Sequence, residues 1–96
     1  MTQRWCFLLI ATFLLTPGAN AAETCAAAAV SAQGEPSAFE WIARTKARAN
    51  WRSRIRATKD LGADYSSWTR ASSRDERCNP TPKGIVCSFT GTPCKP

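Results

Sequence analysis

Four cysteines, at positions 25, 78, 87 and 94, constrain this 96-residue sequence more than any other feature. A fifth, Cys6, sits in a different setting. Trp5 to Leu15 (WCFLLIATFLL) is an unbroken apolar run except for Thr12; Arg4 lies before it and Pro17-Gly18 after it. Ala19-Asn20-Ala21 supplies small residues to a signal-peptidase site, so 1–21 reads as a secretory signal peptide. The run is shorter than the roughly 20 apolar residues of a membrane span. Glu23, close before Cys25, departs from the small, apolar pattern that precedes a lipid-modified cysteine. Cleavage near Ala21 leaves 22–96 as one small domain with no transmembrane segment. The odd cysteine count then becomes even, as suits an oxidising compartment, either the periplasm or the exterior.

About 75 residues bury a marginal core. Its large apolar candidates are Phe39, Ile42, Trp51, Ile55, Leu61, Tyr65, Trp68, Ile85, Val86 and Phe89. Cross-links therefore matter, at roughly 2–4 kcal/mol each. The spacings lack the CxxC knuckles of redox and zinc sites, so Cys25, Cys78, Cys87 and Cys94 read as structural. They allow three pairings. The favoured one joins Cys78 to Cys87 across a hairpin and Cys25 to Cys94 at the chain ends.

The pattern predicts a small α+β domain, β-α-β-β, with one long helix packed on a two- or three-stranded antiparallel sheet. The Ala-rich segment before Gly34 reads as a short strand over 28–33, with helix or disorder as alternatives. Ser37-Ala38-Phe39-Glu40 has the form of a capping box. A helix is expected from Ala38 to Lys59, closed by Gly62. On a wheel, Phe39, Ile42, Ala43, Ala47, Asn50, Trp51, Ala57 and Leu61 share a side, with Ile55 at its edge. Asp64 is placed to cap a second short helical turn through Ala71. Residues 77–89 read as a hairpin turning at Pro82-Lys83, with Ile85, Cys87 and Phe89 on one face. Thr90 onward is expected to turn away.

The most unusual stretch runs from Arg44 to Lys59. It holds Arg44, Lys46, Arg48, Arg52, Arg54, Arg56 and Lys59, with no acid between Glu40 and Asp60. Arg44, Arg48, Arg52 and Arg56 recur every four residues, a ladder of like charges costing a few tenths of a kcal/mol per pair. One reading is a solvated face, neutralised by Asp60, Asp64, Asp75 and Glu76. The other is an anion-binding ridge of Arg44, Arg48, Arg52, Arg56 and Lys59 with Trp41 beside it, since arginine forks match phosphate and carboxylate. For an exported chain the partners in view are anionic lipid, lipopolysaccharide or an acidic polysaccharide, or else an envelope protein. Nucleic acid is disfavoured, because no reading motif is present.

There is no histidine. That removes Ser-His and Cys-His pairs and histidine metal ligands. No GxSxG elbow and no carboxylate pair at glycosidase spacing is present. No catalytic residue, cofactor or metal site is expected, and the chain reads as non-enzymatic.

Gly62-Ala63-Asp64-Tyr65-Ser66-Ser67-Trp68-Thr69-Arg70-Ala71 fits a G-x-x-Y-x-x-W-x-x-A segment. Together with the Arg-rich helix before it and the C…C…PC ending at Cys78, Cys87 and Pro93-Cys94, it resembles a set of small exported proteins of Gram-negative bacteria. The resemblance spans most of the chain after residue 21. It implies export and the β-α-β-β layout, and it implies that Trp51, Tyr65 and Trp68 are core residues. It implies no active site. The functional expectation is a basic binding protein for an anionic envelope component. The alternatives are an accessory module that binds another protein, and a secreted effector-like protein.

Overall fold

The computed structural model describes residues 24–96. The expected signal peptide, with Cys6, lies outside the described residues. The elements follow in the order β1 (Thr24–Cys25), β2 (Val30–Gln33), α1 (Glu40–Ala57), a 3₁₀ turn (Ala63–Tyr65), β3 (Ser72–Thr81), β4 (Gly84–Thr92) and β5 (Cys94–Lys95). An antiparallel sheet has the order β2-β4-β3, and β1 pairs with β5 in a separate two-stranded ladder. This is the small disulfide-linked α+β layout, with one helix packed across the larger sheet.

Two features of β4 fix the hairpin. Cys87, Phe89 and Gly91 are buried in alternation, as one face of a strand requires. The turn falls at Pro82-Lys83, so Thr81 opposes Gly84 and Cys78 opposes Cys87. A disulfide joins Cys78 and Cys87, and another joins Cys25 and Cys94 across the β1/β5 ladder. The hairpin is longer than 77–89. The stretch Ser72–Glu76 is strand despite its polarity, and Thr90-Gly91-Thr92 continues β4, with Val30 opposite Gly91. An irregularity between Ser72 and Asp75, with Ser73 at φ 53°, lets β3 begin early.

The helix buries Ala43, Ala47, Trp51 and Ile55, a stripe spaced by four. Ile55 is thus in the centre of the buried face, not at its edge. Small side chains at 43 and 47 bring the helix close to Gly34, while Trp51 and Ile55 fill the wider end. Trp51 stands edge-on to Phe89 at 5.2 Å between ring centroids, and its indole N–H donates to the Val30 carbonyl at 2.9 Å. That bond satisfies the polar atom of a fully buried side chain.

The helix ends differ from expectation. Ser37 does not form a capping box: its backbone exchanges hydrogen bonds with Ile85, 2.9 Å and 2.7 Å long. The helix starts at Glu40 behind Phe39, with no side-chain cap. Phe39 is therefore turned outward and 59% exposed, not in the core. At the other end the helix stops at Ala57, which is exposed. Asp60 and Gly62 adopt positive φ there, and a 3₁₀ turn replaces the expected Asp64-capped helix.

Candidate functional site

The arginine ladder divides into two parts, and β3 is the cause. Glu76 opposes Phe89, whose side chain faces the helix, and directly opposed residues share a face. The Glu76 carboxylate therefore lies against α1. It accepts from Arg44 Nη1 at 3.0 Å, from Arg48 Nη2 at 2.9 Å, and from Arg48 Nε. Arg44 also donates to Glu40, at 2.7 Å through Nη2 and 3.1 Å through Nε. The Arg48 fork holds the Glu76 carboxyl below its ordinary range, with Arg44 adding to it against the effect of burial. Glu40, and then Glu76, raise the Arg44 guanidinium further above its ordinary value. Two of the ridge candidates are thus engaged in an internal ion-pair network.

Arg48 has a second task. Its guanidinium carbon lies 4.1 Å from the ring centroid of Trp68, within cation–π range. Trp68 in turn stands edge-on to Phe89 at 6.2 Å. Trp68 is only half-buried. It lines a space of about 310 Å³ with Arg48, Arg74, Glu76 and Phe89, and the Arg74 guanidinium carbon lies 6.0 Å from its ring centroid. Trp68 also lines a larger open cleft of about 410 Å³. The resemblance implied a core role for Trp51, Tyr65 and Trp68; Trp51 is fully buried, whereas Trp68 is both packed and accessible.

Arg52 and Arg56 belong to the larger cleft. They reach it from the last turns of α1, and Arg70 reaches it from the turn after Trp68. Asp64, Ser66 and Ser67 add polar lining, and Pro96, the last residue of the sequence, lies there as well. Among the described residues, Arg52, Arg56 and Arg70 make no salt bridge. Gly62 at φ 75° positions the 3₁₀ turn, and Ser66, which is buried, ties it down by donating to the Ala63 carbonyl at 2.8 Å. From β5, Lys95 reaches over the Tyr65 ring at 5.6 Å. The cleft is thus built from the helix end, the 62–71 connection and the disulfide-linked chain terminus.

Lys59 lies past the end of the helix and is exposed. Trp41 is 69% exposed near the helix start, where its carbonyl accepts from Thr45 Oγ1 at 2.9 Å. The structure therefore gathers Arg52 and Arg56 with Arg70, binds Arg44 and Arg48 to Glu76, and leaves Trp41 and Lys59 outside the cleft. Sequence reasoning missed Arg70, Ser67 and the place of Trp68 in the lining of the cleft. No local pattern marks Arg70; only the fold of the 62–71 connection brings it opposite Arg52 and Arg56.

Among the described residues, no three His, Cys, Asp or Glu side chains gather as a metal-ion site, and no helix is long and apolar enough to cross a membrane. Comparison with protein-family models, curated proteins and solved structures finds no match to this chain.

Proposed function

We propose that this chain is an exported, non-enzymatic binding protein, periplasmic or secreted, whose cleft holds an anionic component of the cell envelope. The observation that carries the reading is the convergence of Arg52, Arg56 and Arg70, unpaired with any acid among the described residues, on one open cleft. Like charges gathered this way repel. A bound phosphate or carboxylate reverses that cost through charge-assisted, forked hydrogen bonds. Arg44 and Arg48 support the site indirectly, since Arg48 stacks on the Trp68 wall.

Co-sedimentation with anionic and neutral vesicles over a salt series tests the proposal. Binding to the anionic vesicles alone, declining as salt shortens the Debye length and weakened by Arg52→Gln/Arg56→Gln, is the expected result. Equal, salt-insensitive binding to both vesicle types overturns it. A second reading, an accessory module that docks on another envelope protein, is favoured by exposed Phe39 and Trp41 at the start of α1. A protein partner retained at high salt and lost in Phe39→Ser/Trp41→Ser would select that reading.

A further inference from the structure

We infer that two copies of this chain pair through the free edge of β3, as a two-fold dimer in which Asp75 of each copy opposes the partner's Arg77. This pairing is independent of what the cleft holds. β2 and β3 are the edges of the three-stranded sheet. The β2 edge is engaged by α1, where Asn50 Nδ2 donates to the Gln33 carbonyl at 2.8 Å. Among the described residues, β3 pairs with β4 alone, and eight of its ten residues are exposed. An open edge of this kind presents unpaired backbone groups to another strand.

The neighbouring hydrogen bonds show which groups lie at that edge. Ile85 exchanges both of its backbone bonds with Ser37, and the Cys87 carbonyl accepts from Gly34 at 3.0 Å. Both residues thus spend their backbone groups on the side away from β3. Hydrogen-bonded and non-hydrogen-bonded pairs alternate along an antiparallel ladder. Pro80, opposite Ile85, and Cys78, opposite Cys87, therefore turn their backbone groups to the open side, and Glu76 does so by the same alternation. Pro80 has no N–H to offer, and the irregularity between Ser72 and Asp75 disturbs the other end. Both features blunt an edge. They confine pairing to the stretch around Glu76 and Cys78.

Charge selects the partner and the register. Glu76 faces α1, so Asp75 and Arg77 lie on the opposite face of the sheet, where they are exposed and bonded to each other at 2.8 Å. Directly opposed residues share a face, so a two-fold antiparallel pairing must centre on a residue of β3. Centred on Asp75, it sets Asp75 against Asp75; centred on Arg77, it sets Arg77 against Arg77. Like charges in direct opposition destabilise a sheet. Centred on Glu76, it sets Asp75 against the partner's Arg77 twice over, and four charges then alternate in sign around the axis. Each Glu76 carboxylate arrives on the other face already held by Arg44 and Arg48. The charges of β3 are therefore complementary to themselves, which points to a second copy of this chain rather than to a foreign strand. The contact is isologous, and its short ladder belongs with weak, concentration-dependent interfaces. The axis runs through the sheet, so both α1 helices lie on the same face of one continuous sheet.

The test is sedimentation equilibrium of the disulfide-bonded mature chain over a concentration series, with amide exchange followed by NMR. The parent is expected to dimerise as concentration rises, with the Glu76 and Cys78 amides gaining protection. A mixed-label sample should show the Hα of Asp75 in contact with that of the partner's Arg77. Asp75→Arg and Arg77→Asp each set like charges against one another twice, and each should weaken the dimer roughly tenfold or more. Mixed in equal amounts, the two variants complement each other and should form a heterodimer close to the parental affinity. The double variant Asp75→Arg/Arg77→Asp should restore the homodimer. Both side chains are exposed, and the Trp51 indole signal, bonded to Val30, serves as the folding control. A parent that stays monomeric throughout overturns the inference. So does a dimer indifferent to the single charge reversals, or a mixture of the two variants that fails to associate. None of these results depends on vesicle binding through Arg52 and Arg56, so this inference and the proposed function stand or fall separately.

Discussion

Gly34→Ala adds one carbon at the closest approach of sheet and helix. A Cβ at position 34 would lie 2.6 Å from the Ala47 backbone nitrogen and 2.9 Å from the carbonyl carbon and Cβ of Lys46. Favourable carbon contacts lie at about 3.5–4.0 Å, so α1 must retreat by roughly 1 Å, a gap that forfeits a quarter to a half of each dispersion contact it opens. The buried Ala43, Ala47 and Trp51 all lie near that seam. Overpacking of this kind costs about 1–3 kcal/mol. In a domain of this size each kcal/mol moves Tm by roughly 4–8 °C, which predicts a fall of about 5–20 °C by calorimetry with the disulfides intact. Backbone strain is not the cause, because the positive-φ glycines are Gly62 and Gly84. Gly62→Ala is the contrasting control: nothing lies within 4 Å of its Cβ, but φ is 75° with ψ −166°, a region essentially confined to glycine that costs another residue about 1–3 kcal/mol. The shortest contact at Gly34 is with backbone, so adding Ala47→Gly should not rescue Gly34→Ala. A Tm for Gly34→Ala within a degree or two of the parent, or full rescue by Ala47→Gly, would refute the close-seam argument.

The two disulfides should differ in worth. Cys25–Cys94 spans a separation of 69 residues and Cys78–Cys87 one of 9, so chain entropy assigns them about 4 and about 3 kcal/mol. Guanidinium unfolding of the paired Cys→Ala variants should place Cys25/Cys94 as the larger loss, and a reversed order would contradict it. Glu76 should also give a pH signature, since Arg48 and then Arg44 hold its folded-state carboxyl below the ordinary range. Its contribution is full above the unfolded value of about 4.3 and is lost as pH falls through the lower folded value. Glu76→Gln should therefore cost about 1–2 kcal/mol near pH 7, with the gap to the parent closing on acidification in urea titrations. A gap unchanged down to pH 2.5 would show that Glu76 is not the linked group.

The hairpin was legible in the sequence because its signals are local. Pro82-Lys83 fixes the turn, and the alternation of Ile85, Cys87 and Phe89 fixes the face, so the 78/87 register follows. The middle of the helix was legible for the same reason: Ala43, Ala47 and Trp51 share a side at any helical start. Its ends were not. Ser37 has the residues of a capping box three positions from Glu40, but its backbone is claimed by Ile85, far away in sequence. Tertiary pairing overrode the local motif and turned Phe39 to the surface. The polar run Ser72–Glu76 concealed a strand because its partner β4, not its own hydrophobicity, supplies the pairing. The cleft was least legible, since Arg70 and Trp68 reach it through a connection whose course is set by Gly62, Ser66 and β5.

The same long-range pairing explains how a helix with such an excess of positive charge is held. In the first half of α1 the charges of Arg44 and Arg48 are met by Glu40 and Glu76, one from the helix and one from β3. In the second half, Arg54 and Arg56 occupy the last turn, where the helix dipole favours cations. The first device consumes the guanidinium forks in internal bonds. The second stabilises the charge through the field of the helix and leaves the forks free. A one-residue shift of β3 would carry Glu76 to the opposite face of the sheet and release Arg44 and Arg48, removing the stack that positions Trp68. The register fixed by Cys78 and Cys87 therefore decides both which arginines are internally bound and which remain for a ligand, so the disulfide bears on the cleft although it does not touch it.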